Sequence, residues 1–172
     1  SGFFVVQPQP LGNADALRIA TETIRTGSHV LCFNGDHLLG LDGAELQSLV
    51  VTHLQSEFVA TILLEEPKVS IEPEFIWKHN QENRLVGRDR LVYCQPNSNS
   101  GLFVGAFIAR LDWLKEAVND ECAFAKAVGA EAKTTELLLR PAGSGKIGVC
   151  KTNRKHWGIN TPQEYFALQF KA

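Results

Sequence analysis

The sequence predicts an α/β fold, a single domain over residues 1–172 with a mainly parallel sheet covered by helices on both faces. Three observations predict it. Short apolar runs, such as 29–33 and 58–64, alternate with stretches whose apolar residues recur at helical spacing, the pattern of strand–helix–strand crossovers. A polar middle, about residues 65–100, breaks that alternation and reads as an antiparallel excursion. The length of 172 residues suffices for one proper core, and no repeat, low-complexity tract or linker divides it.

The elements follow in order. Phe3 to Val6 reads as a short buried strand stopped by Pro8 and Pro10. Gly12-Asn13 opens a helix, with Leu17, Ala20 and Ile24 on one side and Asp15 in the first turn, where the helix dipole favours an anion. Thr26-Gly27 ends it, and His29 to Phe33 is a strand. A second helix runs from about Gly43, with Leu46, Leu49, Val50, His53 and Leu54 on one face. Phe58 to Leu64 is another strand. The excursion holds short alternating pieces, Phe75-Ile76-Trp77 and Leu91-Val92-Tyr93. Gly101 to Ile108 returns to a buried strand; Leu111, Leu114 and Val118 mark a helix; Glu121 to Arg140 is helical with a break at Gly129. The turn Ala142 to Lys146 leads into a strand ending at Cys150. Thr161-Pro162-Gln163-Glu164 is a capping box with proline at the first helical position, opening a last helix to about Phe170.

Composition excludes several classes. A net charge of −2 and a pI near 6.2 give no electrostatic footprint for nucleic acid or an anionic membrane. The sequence has no apolar run of membrane-spanning length, and no segment of it reads as a signal peptide. Cys32, Cys94, Cys122 and Cys150 show no paired or metal-ligand spacing and read as reduced thiols of a cytoplasmic protein.

One stretch carries chemistry. In "VLCFNGDHLL" a buried strand breaks at Asn34-Gly35 and delivers Asp36. Open parallel sheets bind ligands at the carboxyl ends of their strands, and an acid there suits a divalent cation beside phosphates. Taken by itself, Asp36 reads more simply as a turn residue after Asn-Gly. Upstream, "VVQPQPLGNADALRIA" places Gly12 at a strand-to-helix turn, where a planar ligand or phosphate could approach the backbone and a helix start.

Four segments in this order, "QPQPLGNADAL", "VLCFNGDHLL", "NSNSGLFV" and "WGINTPQEY", resemble the nucleotidyltransferases that activate sugar phosphates. The nearest type is N-acetylglucosamine-1-phosphate uridylyltransferase. The resemblance spans Gln7 to Tyr165. It implies a Rossmann-like, three-layer fold with a mixed sheet. It also implies transfer of a nucleotidyl group, UTP being the expected donor, to a sugar 1-phosphate with release of pyrophosphate. Gln7 and Gly12 would contact the nucleobase, with Asn13 where the family usually has threonine. Asp36 would bind Mg²⁺ with Asn160 as the second protein ligand. Asn99 would reach the sugar, and Asp89 in "VGRDRL" stands nearest the family's sugar-binding glutamate.

The family's opening strand and glycine-rich loop have no counterpart, so the fold is expected to be N-terminally truncated and the chain alone incompetent. A second copy or a separate polypeptide completing the sheet follows as an expectation. Two rival readings stand: a non-catalytic descendant that binds a nucleotide-sugar or a partner protein, and a metal-dependent glycosyltransferase of similar topology. The latter would favour a further acid two residues from Asp36, where Asn34 and Leu38 stand. Elsewhere, the basic "KTNRKHW" reads as a phosphate-neutralising loop or a solvated hairpin edge. Glu65, Glu66, Glu72 and Glu74 could serve as metal ligands but read more simply as surface charge, His37 reads as structural or at the substrate's edge, and His53 as a satisfied, half-buried residue. Trp77, Trp113 and Trp157 read as core.

Overall fold

The computed structural model describes residues 4–39, 43–66, 75–90, 97–153 and 156–158. The elements are α1 (Asn13–Thr23), β1 (His29–Phe33), β2 (His37–Leu39), α2 (Gly43–Leu54), β3 (Ala60–Glu65), β4 (Phe75–His79), β5 (Leu85–Arg90), β6 (Ser100–Arg110), α3 (Leu111–Val128), α4 (Thr134–Leu139), β7 (Ile147–Thr152) and β8 (His156–Gly158). The expected strand at Leu91-Val92-Tyr93, the capping box at Thr161 and the last helix lie outside the described residues, as do Cys94, Glu72 and Glu74.

The expected opening strand is absent over residues 4–7. Phe4 and Val6 are fully or largely exposed, because this apolar run finds no sheet partner among the described residues. The mainly parallel sheet is likewise corrected. Six strands form the main sheet, built on the eleven-residue β6, which takes β1, β3 and β4 all as antiparallel partners. Among the described residues only β3 and β7 pair in parallel. The continuous apolar runs report burial on both faces, which either direction permits.

Both faces are indeed covered, giving three layers. Along β6, Val104, Ala106 and Ile108 point to one side and pack with Leu63, Cys150 and Leu49 of α2. Phe107 and Ala109 point to the other and join Ile62, Leu64 and Val149 under Leu114 and Val118 of α3 and Leu137 and Leu138 of α4. That alternation is the period of two expected of a strand between layers. Helix α3 buries Leu111, Leu114, Val118, Glu121 and Ala125, one stripe at helical spacing, and ends where Gly129 turns left-handed at φ 68°. The buried Glu121 carboxylate accepts from Arg140 at 2.6 and 2.8 Å, so its charge is paired.

Because β1, β3 and β7 all run opposite to β6, their carboxyl ends (Phe33, Glu65 and Thr152) share one edge of the sheet with the start of β6. A separate two-stranded pair, β2 with β8, continues from that edge. The outer side of β7 is met by the β4–β5 hairpin tip, where Val149 N–H donates to Asn83 O at 2.8 Å. The outer side of β1 has no strand beside it among the described residues. No helix among them is long and apolar enough to cross a membrane. Cys32, Cys122 and Cys150 are free thiols, and burial pushes Cys32 up to about 12.

Candidate active site

A cleft of about 440 Å³ opens between the first turns of α1 and the carboxyl end of β1. Asn13, Ala16 and Leu17 form one wall, Cys32, Asn34 and Asp36 the other. The local sequence makes this geometry. Asn34 N–H still donates to Gly105 O at 2.8 Å, extending the β1–β6 ladder by one residue. The chain then turns through Gly35, so Asp36 sits past the sheet, exposed at the mouth of the cleft. Asp36 and Asn13, at the start of α1, line this one cleft; Gly12 is not among its lining residues. Asn160 lies outside the described residues.

Gln7 does not line this cleft. Its Nε2 donates to Gly12 O at 3.1 Å and to Asp15 Oδ2 at 2.9 Å, folding the amide onto the helix start. Asp15 is buried, and its pKa is held down first by the Gln7 hydrogen bond and then by Arg18, against the upward pull of burial. Gly12 does meet a close approach, but from the chain itself. At φ 105° it stands against Ala132, whose carbonyl oxygen would lie 2.2 Å from any Cβ placed there. Ala132 N–H donates to Leu11 O at 2.9 Å, and Ala132 O accepts from Ala14 N–H at 3.1 Å. One of the helix's otherwise orphan N–H groups is thus satisfied internally. Asn13 Oδ1 accepts from Thr134 N–H at 2.8 Å, tying α1 to α4 and leaving the Nδ2 donors at the cleft wall.

The two candidate sugar contacts lie elsewhere. Asn99 immediately precedes β6; its carbonyl accepts from His79 N–H at 3.0 Å and its N–H donates to Asn97 Oδ1 at 2.9 Å. Asp89 is on β5, half exposed and ion-paired across the hairpin with Lys78. Neither lines the Asp36 cleft.

Two assignments need correction. Glu65 is not surface charge: it is fully buried at the carboxyl end of β3, opposite Thr152 of β7. Thr152 Oγ1 in turn bonds Glu45 Oε1 at the start of α2. The signal was present in "TILLEE", an apolar strand ending in an acid like β1, but a pair of glutamates beside proline is most often solvent-facing. His53 is wholly buried rather than half buried, and only one of its ring nitrogens is satisfied. Trp77 is core, packed at 5.1 Å between centroids on Phe103. From the basic segment, Lys151 reaches back to Ser98 O at 2.6 Å. Among the described residues no three His, Cys, Asp or Glu side chains converge in a metal-binding arrangement.

No protein-family model matches the sequence, and no curated protein matches it either. Solved structures do match in shape. HddC from Yersinia pseudotuberculosis, solved with GMP-PN, superposes with a TM-score of 0.69 at 17% identity, over 98% of this chain and 65% of that one. The UTP-bound UGPase from Acinetobacter baumannii gives 0.71 at 16%, over 96% and 58%. The inositol-1-phosphate CTP transferase from T. maritima gives 0.65 at 18%, over 90% and 58%. The chain thus has the mixed-sheet α/β fold of nucleotidyltransferases, and it spans less than two thirds of the length of these structures.

Proposed function

We propose that this chain forms part of a nucleotidyltransferase that joins a nucleoside triphosphate, UTP by the sequence resemblance to the N-acetylglucosamine-1-phosphate uridylyltransferase type, to a sugar 1-phosphate. The observation that carries the reading is the cleft in which Asp36, at the end of β1, faces the first turns of α1. A helix start favours phosphate, and a strand-end carboxylate favours a cation beside it. The acceptor phosphate oxygen would form a bond to the α-phosphorus as the bond to the bridging oxygen breaks, and pyrophosphate would leave in line. Mg²⁺ prefers oxygen ligands and keeps waters and substrate phosphates, so one carboxylate and one amide, Asp36 and Asn160, suit it in chemical type. When bound it supplies neutralisation of the phosphate charge. Asn13 would orient the nucleotide through Nδ2. Asn99 and Asp89 would meet the sugar only if the excursion folds toward the cleft on binding.

The chain alone is proposed to lack turnover, since nothing in it matches the glycine-rich loop that grips the triphosphate. Preorganised donors at developing charge are worth about 3 kcal/mol each, so a missing loop costs many orders of magnitude in rate. A non-catalytic descendant is the second reading. It is favoured by Gln7 and the Ala132 clamp, which turn polar groups of the helix start inward. Pyrophosphate release and equilibrium nucleotide binding, measured on the same purified chain, separate the two. Mg²⁺-dependent binding of a triphosphate, with turnover once a polypeptide carrying the loop is supplied, supports the first reading. Absence of any binding, also after a polypeptide carrying the loop is supplied, leaves only the second. Robust turnover by a monomer overturns the incompetence of the chain.

A further inference from the structure

At the amino edge of the sheet, opposite the Asp36 cleft, lies a second cavity of about 340 Å³, lined by His29, His53, Ser56, Glu57, Phe58 and Arg110. His29 opens β1 and Arg110 closes β6, and the two are register partners. The four residue steps of β1 put this edge roughly 13 Å from Phe33. An adjoining cleft of about 460 Å³ shares His29 and Arg110 and adds Ser28 and Lys115.

The unusual group is His53, 1% exposed near the end of α2. Its Nδ1 lies 2.9 Å from Thr61 Oγ1, and its Nε2 has no hydrogen-bond partner. Burial first, then the charges of His29 and Arg110, hold its pKa down to about 4, so the ring is neutral and carries one proton. The placement of that proton follows from counting. If Nδ1 donated to Thr61, both the threonine O–H and the Nε2 lone pair would be left unmatched. If Thr61 donates to Nδ1, only an Nε2–H donor is unmatched, the cheaper state for a buried site. Beside it, Arg110 is bound to Asp112 through Nε at 3.2 Å and Nη2 at 2.6 Å, and Nη1 remains unused. Arg110 is the fixed cation of the lining, and Glu57 stands in the same lining.

We propose that this cavity binds a phosphate-sized oxyanion, held by the His53 Nε2–H and by Arg110 Nη1. The site is separate from the Asp36 cleft and independent of the function proposed for it. A phosphate accepts several hydrogen bonds at once, and a guanidinium edge matches its geometry. The cavity falls at the small end of ligand-site volumes, and the adjoining cleft leaves room for the remainder of a phosphate monoester.

The test is histidine-selective ¹⁵N NMR of the full chain titrated with inorganic phosphate, with acetate in parallel. The His53 Nε2 resonance should move saturably with phosphate. Arg110→Gln, a half-exposed position where folding is not at risk, should weaken binding about tenfold, the loss of one charge-assisted hydrogen bond. His53→Phe should abolish it; should that variant misfold, Arg110→Gln still decides. A His53 signal that stays fixed as phosphate rises overturns the proposal. So does binding unchanged in Arg110→Gln, or acetate bound as tightly as phosphate.

Discussion

His37 faces Gly158 across the β2–β8 pair. Asp36 immediately precedes the first and Asn160 follows the second by two residues, a reach of at most about 7.6 Å along the chain. The register therefore supports the proposal that two residues 124 positions apart in sequence (160 less 36) serve one ion. Asp36→Asn and Asn160→Ala should each weaken Mg²⁺-dependent triphosphate binding by about tenfold or more, and the double variant should lose little beyond the worse single one. Calorimetric titration with and without Mg²⁺ reads this; fully additive losses would separate the two residues and dissolve the shared site.

Gly12 makes a stability prediction independent of any ligand. Its φ of 105° disfavours a side chain, and a Cβ would meet the Ala132 carbonyl at 2.2 Å, a backbone atom that cannot rotate away. Gly12→Ala should cost about 2–4 kcal/mol in urea unfolding, and shortening Ala132 to glycine should not restore it, because the obstruction is the peptide oxygen. A loss below about 0.5 kcal/mol would mean that α1 re-docks without strain.

His53 makes the fold sensitive to acid. Its folded pKa, about 4, lies below the ordinary 6.5, so the unfolded chain binds the extra proton first as pH falls. Stability is thus fully present above the unfolded value and is lost progressively from 6.5 toward 4. Between pH 7 and pH 5 the single group accounts for about 2 kcal/mol. His53→Gln should be less stable at pH 7 and should flatten this slope in urea midpoints taken across the range; an equally steep slope would assign the acid sensitivity to other groups.

The elements that the sequence placed best are those with local punctuation. β1 spans His29 to Phe33 as expected, bounded by a glycine-serine stretch before and Asn34-Gly35 after, and α1 begins at Asn13 behind Gly12. Strand direction was not legible, since β6 is apolar on both faces whichever way its neighbours run. Asp36 was singled out because a strand end is a positional signal. Gln7 was placed by resemblance, and its side chain answers instead to Asp15, a partner no pattern reveals. Glu65 was missed because burial of an acid depends on what the third dimension brings against it, here the end of β7.

The side of β1 that has no strand beside it among the described residues makes the last prediction. Its register partners Ile108 and Ala106 lie on the α2 face, so Leu31 and Phe33 lie there too, yet they remain 37% and 47% exposed. On α2, Val51 and Leu54 are exposed as well. An unpaired strand with an apolar face invites another strand. The chain alone should therefore self-associate in a concentration-dependent way. Leu31→Lys with Phe33→Lys should keep it monomeric while changing its unfolding free energy by no more than about 1 kcal/mol, both sites being partly solvated already. Sedimentation velocity across a range of concentrations decides between the alternatives. A strictly monomeric chain that binds no hydrophobic dye would show the edge to be capped. Turnover that appears only in the associated form, and vanishes in the lysine variant, would instead place the shared active site at this edge.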